Sequence, residues 1–403
     1  MVASFRFWFK NFRRLDSNFM ERWSGVLKVT LDSSSRAPYR VGASLCLSLP
    51  SKTLTVPSLN AIFFNGDRVE GTGNPVIEKL SDLRNITEIL VSKLGVSINA
   101  WVVESSVYNG PFAVYKDFIP SVNSWGDPKS YSPYGFPAST SIALLLSKCL
   151  EEQAKRVIPG VEQKSHSNGV STSLPCLPKT LIFGFSKGGV VLNQLVTELA
   201  YSNVDSSESL NDRVKHPVDE SFPKFQEENL VIPRTKDSLL NRISEIHYVD
   251  VGLNTSGAYL TDHAVIKRIS ERLVLGAARI RFVLHGTPRQ WSDKRRPWIR
   301  NEKDQLRQQL EDAAQKSGGK LQFLSWITKK QPVYQIHMML FKKEQSKKDA
   351  LYKLPHLQML SHIHCQDSNS AIYKITPVFP GFTSLWSKRF AFLAVLLADY
   401  FLD

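Results

Sequence analysis

The sequence predicts an α/β fold: a mostly parallel central sheet with helices on both faces. Two observations carry that reading. Short apolar runs rich in β-branched and aromatic residues alternate with longer stretches whose apolar residues recur at helical spacing. Consecutive strands separated by a helix run parallel, because only a crossover returns the chain to the same sheet edge. In the middle of the chain, a strand then passes into a helix through the turn Gly184-Phe185-Ser186-Lys187-Gly188, which fits G-x-S-x-G.

In chain order, 26–31 and 41–49 predict an antiparallel hairpin, the second arm from the alternation Leu45, Leu47, Leu49. Leu59 to Phe64 predicts a buried strand that stops at Asn65-Gly66-Asp67, a turn signal. A helix is expected from Pro75 to Leu94, then a strand over Ile98 to Val103 and a helix containing Ile142 to Leu150. Thr180 to Phe183 is the strand before the serine, and Val190 to Leu199 the helix after it. Strands follow at Ile246 to Val249, Ile280 to Leu284 and Leu321 to Ile327, with helices at Ile266 to Leu275 and Trp298 to Ala314 between them. Two polar stretches, 158–178 and 202–240, read as inserted surface excursions, the second where a lid would lie.

Strand, glycine-flanked turn and helix make the nucleophile elbow of the α/β-hydrolases. The elbow glycines Gly184 and Gly188 answer to a turn so sharp that side chains there would meet the neighbouring strand and helix. The following helix points its N-terminus at Ser186, where its dipole favours developing negative charge. Chance is the alternative for any five-residue motif, and correct flanks on both sides weigh against it.

Composition narrows the class. The 403 residues bury a sizeable core, with 42% hydrophobic and 10% aromatic residues, and Cys46, Cys149, Cys176 and Cys365 form no C-x-x-C pair, which suits a reducing compartment. The net charge of +14 is dispersed and accompanied by no nucleic-acid-binding motif, so nucleic acid is not the expected partner. Residues 1–15 carry Arg6, Lys10, Arg13 and Arg14 among Phe5, Phe7, Trp8, Phe9 and Phe12 with no acid. Two readings of 1–20 stay open, a mitochondrial targeting segment and an amphipathic helix lying on the core or a membrane surface. Domain organisation is then 1–20, a hydrolase-like unit over 21–341, and a C-terminal extension over 342–403. That extension has a basic run and an apolar run of 13 residues, too short to span a bilayer. A peripheral membrane contact is the minority reading of its apolar run.

A serine hydroxyl needs a base to take its proton, and in this fold an acid and then a histidine follow in the chain. His337, beyond the last strand, is the expected base. His285, at the end of an earlier strand, is the pocket candidate, and His247 reads as a satisfied core histidine. Asp293 is the favoured acid, with Asp250 as the alternative; a salt bridge to Arg295 or Arg296 is the structural reading of Asp293. The oxyanion hole is expected from the N–H of Lys187 and from the turn carrying Gly66 and Asp67. No cofactor or metal is required, since the H-x-H of His362 and His364 beside Cys365 lacks ligands at metal spacing. The expected substrate is a small acyl or lipid-like molecule. An anionic part is allowed by the basic charge and by Lys187 and Arg289 near the catalytic edge, although exposed basic side chains commonly just face solvent.

The elbow block from Leu181 to Gly188, with Val190-Val191-Leu192-Asn193-Gln194-Leu195, resembles a eukaryotic α/β-hydrolase-like family. Its vertebrate member is mitochondrial and named after an open reading frame on chromosome two. Further blocks match at Phe63-Phe64-Asn65-Gly66-Asp67, at Asp250, at His285-Gly286-Thr287-Pro288 followed by Asp293 and Trp298-Ile299, and at Pro332 with His337. The resemblance covers about residues 60 to 340 and implies a serine hydrolase without a settled substrate. It supports a mitochondrial location over a cytoplasmic one. The N-terminus and the tail after about 342 lie outside it.

Overall fold

A computed structural model of the chain describes residues 20–32, 37–68, 82–157, 177–203 and 230–327. The described strands are β1 (Met20–Val29), β2 (Tyr39–Ser48), β3 (Leu59–Phe64), β4 (Ile98–Glu104), β5 (Val107–Asn109), β6 (Phe112–Val114), β7 (Lys179–Phe185), β8 (Ile243–Val249), β9 (Ile280–Gly286) and β10 (Leu321–Ile327). The helices are α1 (Leu83–Leu94), α2 (Pro137–Val157), α3 (Gly189–Tyr201), α4 (Lys236–Arg242), α5 (His263–Val274), α6 (Pro288–Trp291) and α7 (Pro297–Lys316).

Eight strands form one sheet in the order β1-β2-β4-β3-β7-β8-β9-β10. β2 pairs antiparallel with both β1 and β4, and every other pairing in the sheet is parallel. That arrangement is the α/β-hydrolase fold. Its central strands are apolar on both faces: Ile62 and Ile182 enter one core, while Phe63 and Phe183 enter the other. Such strands read as continuous apolar runs because helices cover both sides. Among the described residues α1 supplies the cover of the second core through Leu83, Ile86 and Leu90. Asp82 caps it, accepting from the N–H of Arg84 at 3.0 Å and of Asn85 at 3.3 Å. The first core is filled by α2, α3, α4, α5 and α7.

The expected elements are present, with shifted ends. The hairpin strands start at 20 and 39 rather than 26 and 41. Helix α1 is described from Leu83; the part of the Pro75–Leu94 helix over 75–81 lies outside the described residues. The short hairpin β5–β6 and helix α6 carry too few residues to set a period in the sequence. Within the excursion 202–240, α4 is a capped helix with Leu239 and Leu240 in the core, so that stretch is not polar surface throughout. Residues 158–176 and 204–229 lie outside the described residues, as do 1–19 and 328–403. No helix of the described residues is long and apolar enough to cross a membrane.

Helix α3 is buried from Gly189 to Ala200, so its polar residues must find partners inside. Glu198 accepts from the N–H of Ala138 at 2.7 Å and of Ser139 at 2.8 Å, from Ser139 Oγ at 2.6 Å and from Gln194 Nε2 at 2.9 Å. Its carboxylate therefore caps the neighbouring helix α2 from the side. Burial raises its pKa, against the pull of these hydrogen bonds. Glu198→Ala strips all four donors of their acceptor and is expected to cost about 3–5 kcal/mol in urea unfolding. Glu198→Gln should cost less, since it keeps the shape and one acceptor; equal losses for the two would show that only side-chain volume matters.

Candidate active site

Ser186 stands at the C-terminal end of the central strand β7, on a 3-10 turn that leads directly into α3. Its φ is 50°, an uncommon conformation for a residue with a Cβ, and it is half-buried. A Cβ on Gly188 would lie 2.2 Å from the carbonyl oxygen of Phe64, and one on Gly184 would lie 2.7 Å from that of Gly188. The two elbow glycines therefore let β7, α3 and the end of β3 meet within backbone contact of each other.

Across from the serine is the turn after β3. A Cβ on Gly66 would lie 2.8 Å from Ser186 Cβ, so this turn abuts Ser186. The Gly66 N–H donates to Asn65 Oδ1 at 2.9 Å, and Asp67 Oδ1 accepts from the N–H of Ala113 at 3.0 Å. Tyr115 OH donates to the Asn65 carbonyl at 2.7 Å. The turn is thus held in place by its own side chains and by the β6 strand.

Asp250 follows β8, the strand beside β7. Phe185 and Val249 are paired in register, so Ser186 and Asp250 occupy matching positions one residue beyond the paired ends of adjacent strands. Asp250 also has a positive φ, 46°. Its N–H donates to the His285 carbonyl at 2.7 Å, and its Oδ1 accepts from the N–H of Thr287 at 2.9 Å and from Thr287 Oγ1 at 3.0 Å.

Asp293 is placed differently, two residues beyond the end of α6. Its Oδ1 accepts from the N–H of Arg295 at 3.0 Å and from Arg295 Nε at 3.2 Å, while Oδ2 takes Arg296 Nε at 3.1 Å. Burial pushes this carboxyl up, but the hydrogen bonds from Arg295 and Arg296 and the Arg296 charge outweigh it and hold the pKa at about 2. A carboxyl depressed in the folded state stabilises it above the unfolded pKa, and that contribution fades as pH falls through the folded value. The stability gap between wild type and Asp293→Asn is therefore expected to be full at neutral pH, to shrink below about pH 4 and to close only below about pH 2. Thermal melts across that range check it; a gap independent of pH would refute the pairing.

His285, the pocket candidate, lies near the C-terminal end of β9 and is buried. A file of rings crosses the strands, Phe63 to Phe183 at 6.4 Å between centroids, Phe183 to His247 at 4.4 Å and His247 to His285 at 5.6 Å. His247 Nδ1 and His285 Nε2 are hydrogen-bonded at 3.3 Å, and His247 Nε2 meets Glu245 Oε2 at 3.0 Å. Burial, aided by the neighbouring His247, pushes the His285 pKa well below the usual histidine range, so the ring stays neutral. His247 is the satisfied core histidine expected from its strand. His337 lies outside the described residues.

The Lys187 side chain is not on the catalytic edge facing solvent. It is 2% exposed, and its Nζ pairs with Asp127 Oδ1 at 3.0 Å and donates to the Trp125 carbonyl. This corrects the expectation that Lys187 lends its charge to an anionic substrate. The sequence offered no sign of the pairing, because 60 residues separate the partners.

Asn193 and Gln194, the signature residues after the elbow, hold loops. Asn193 Nδ2 donates to the carbonyls of Gly257 at 3.2 Å and Ala258 at 3.1 Å, and Gln194 Nε2 to that of Ser132 at 2.6 Å. From α7, Glu302 accepts from the N–H groups of Gly257 at 2.7 Å and Tyr259 at 3.1 Å. The segment that follows Asp250 is therefore gripped from two helices.

Sheet order and elbow together define the class: this is an α/β-hydrolase-fold protein. No family model matches the chain. Among curated proteins it is similar to the Mitochondrial protein C2orf69 homolog of Danio rerio, 26% identical over 225 residues, which are 55% of this chain and 54% of that protein. The chain thus spans about half the length of the curated relative it matches, and the match agrees with the resemblance read from the sequence blocks. Among solved structures it is similar to the siderophore hydrolase EstA from Aspergillus nidulans, 11% identical, with 83% of this chain and 96% of that one covered at a TM-score of 0.38. An IroE-like serine hydrolase from Shewanella oneidensis is 10% identical, with 80% and 78% covered at 0.37. An S-formylglutathione hydrolase from Agrobacterium tumefaciens is 12% identical, with 83% and 96% covered at 0.34. Likeness at this level adds nothing to the assignment, which rests on the sheet order and the elbow.

Proposed function

We propose that the protein is a serine hydrolase of ester or thioester bonds with Ser186 as its nucleophile. The observation that carries this reading is the pair of positive-φ residues, Ser186 and Asp250, at matching positions beyond adjacent central strands. Strained backbone of this kind concentrates at reacting centres.

In this reading His337, carried by the segment after β10, removes the Ser186 proton as Oγ attacks the acyl carbon. The resulting oxyanion is held by the N–H of Lys187 and by the turn carrying Gly66 and Asp67. Collapse of that intermediate expels the alcohol or thiol, which takes the proton from His337 and leaves an acyl-serine. Water, deprotonated by the same histidine, then releases the acid. Asp250 orients the imidazole, in preference to Asp293, whose two oxygens are committed to Arg295 and Arg296. The substrate is a small acyl or lipid-like molecule, with no nucleic acid involved. The basic N-terminal segment and the mitochondrial name of the relative support a mitochondrial location, and the apolar run of the C-terminal extension a peripheral membrane contact.

The test is chemical. Treating the wild-type chain with a fluorophosphonate and mapping the adduct after tryptic digestion should place it on the peptide Thr180 to Lys187. A chain that takes no adduct there, and turns over no aryl ester or thioester, would favour a non-catalytic binding protein built on the same fold. One observation points that way: the Gly66 N–H is turned to Asn65 Oδ1 rather than outward.

A further inference from the structure

We infer that Asp127 is a positioning residue, which through the Lys187 ammonium fixes the peptide between Ser186 and Lys187 where the oxyanion forms. The inference rests on the serine-hydrolase reading and extends it to a loop distant in sequence. Lysine is among the residues least often fully buried. Here both members of the pair are, at 2% and 3% exposure, immediately beside the nucleophile. The ammonium also lies 4.8 Å from the Phe112 ring centroid, so a carboxylate, a carbonyl and an aromatic face close around it. Apolar residues of similar volume usually stabilise a core at least as well as a buried ion pair, so stability alone does not account for this one.

What the pair does supply is direction. Lys187 sits in the 3-10 turn, and its side chain is anchored at the far end to a loop with fixed geometry. Asn123 Oδ1 accepts from the N–H groups of Trp125 and Asp127, both at 2.9 Å, and the Asn123 N–H donates to the Asp127 carbonyl at 2.9 Å. Trp125 stacks edge-on to Phe112 at 5.4 Å. The same hairpin holds the opposite side of the site. The Arg68 N–H donates to the Pro111 carbonyl at 2.8 Å, and the Ala113 N–H to Asp67 Oδ1 at 3.0 Å. One scaffold, β5–β6 with the loop over 121–129, therefore grips both segments that carry the oxyanion donors. Their separation is set by that scaffold, and the Lys187–Asp127 pair is its link to the elbow.

The experiment measures the saturating labelling rate and the apparent affinity for a fluorophosphonate in wild type, Asp127→Asn and the double variant Lys187→Met with Asp127→Leu. The double variant removes both charges, so no unpaired ion remains buried, and it should melt within a few degrees of wild type. Its saturating rate is expected to fall about tenfold or more, a part of the 10²–10³ that loss of an oxyanion donor costs, with affinity unchanged. The isosteric Asp127→Asn should fall in the same direction, and it decides the matter if the double variant does not fold. Wild-type saturating rates in folded variants, or a change in affinity alone, would overturn the inference while leaving the hydrolase reading intact. A wild-type chain that takes no label at Ser186 would overturn both.

Discussion

Ser186→Ala is expected to abolish fluorophosphonate labelling and esterase activity while shifting the melting temperature by only a few degrees. The substitution removes Oγ and keeps the Cβ against which Gly66 packs, so the backbone strain at φ 50° and the neighbouring contacts are unchanged. A surface-accessible serine elsewhere would go on labelling in the variant. Labelling of Ser186→Ala at the wild-type rate would therefore remove the nucleophile assignment altogether.

Asp250→Asn should lower the rate of labelling or ester hydrolysis by about 10³–10⁴-fold, the effect of losing the carboxylate that sets the tautomer of a triad histidine. Asparagine keeps the shape of the side chain, and its Oδ1 can go on accepting from the N–H of Thr287 and from Thr287 Oγ1. What it loses is the negative charge that holds an imidazolium. Asp293→Asn, by contrast, should leave the rate within about twofold, because both of its oxygens already serve arginines and the cost falls on stability instead. Steady-state rates of the two variants, each checked for a cooperative melt, separate the possibilities. A large loss with Asp293→Asn and none with Asp250→Asn would reverse the assignment of the acid.

The parallel sheet and the elbow were legible because their signals are local. Buried strands such as Leu59–Phe64 are unbroken apolar runs, and Gly184, Ser186 and Gly188 sit within five residues of one another. Hairpin β5–β6 was not legible, since three-residue strands set no period. The two candidate acids were legible to different degrees. The salt bridge of Asp293 to Arg295 or Arg296 is local, and the sequence offers it beside the catalytic reading, whereas the Asp250 contacts to Thr287 join positions 37 residues apart. Lys187 shows the same limit more sharply. A basic residue beside an elbow serine reads naturally as a substrate contact, and only the fold brings Asp127 to it across 60 residues. The role of Asn193 and Gln194 was likewise hidden, because their partners lie on segments 62 to 65 residues away.

The pairing of β3 with β7 also governs when the elbow is completed. Leu59 faces Lys179 and Phe64 faces Gly184, so the two strands flanking the elbow are 120 residues apart in the chain. Closing a loop of that length costs entropy before any contact repays it. The elbow has no backbone to rest against until β3 has arrived, since Gly188 sits on the Phe64 carbonyl. A ribosome-bound fragment ending at β7 already holds both strands, yet β7 still lacks its other neighbour, β8. The surroundings of Ser186 are therefore completed late in folding, once β8 has paired with β7.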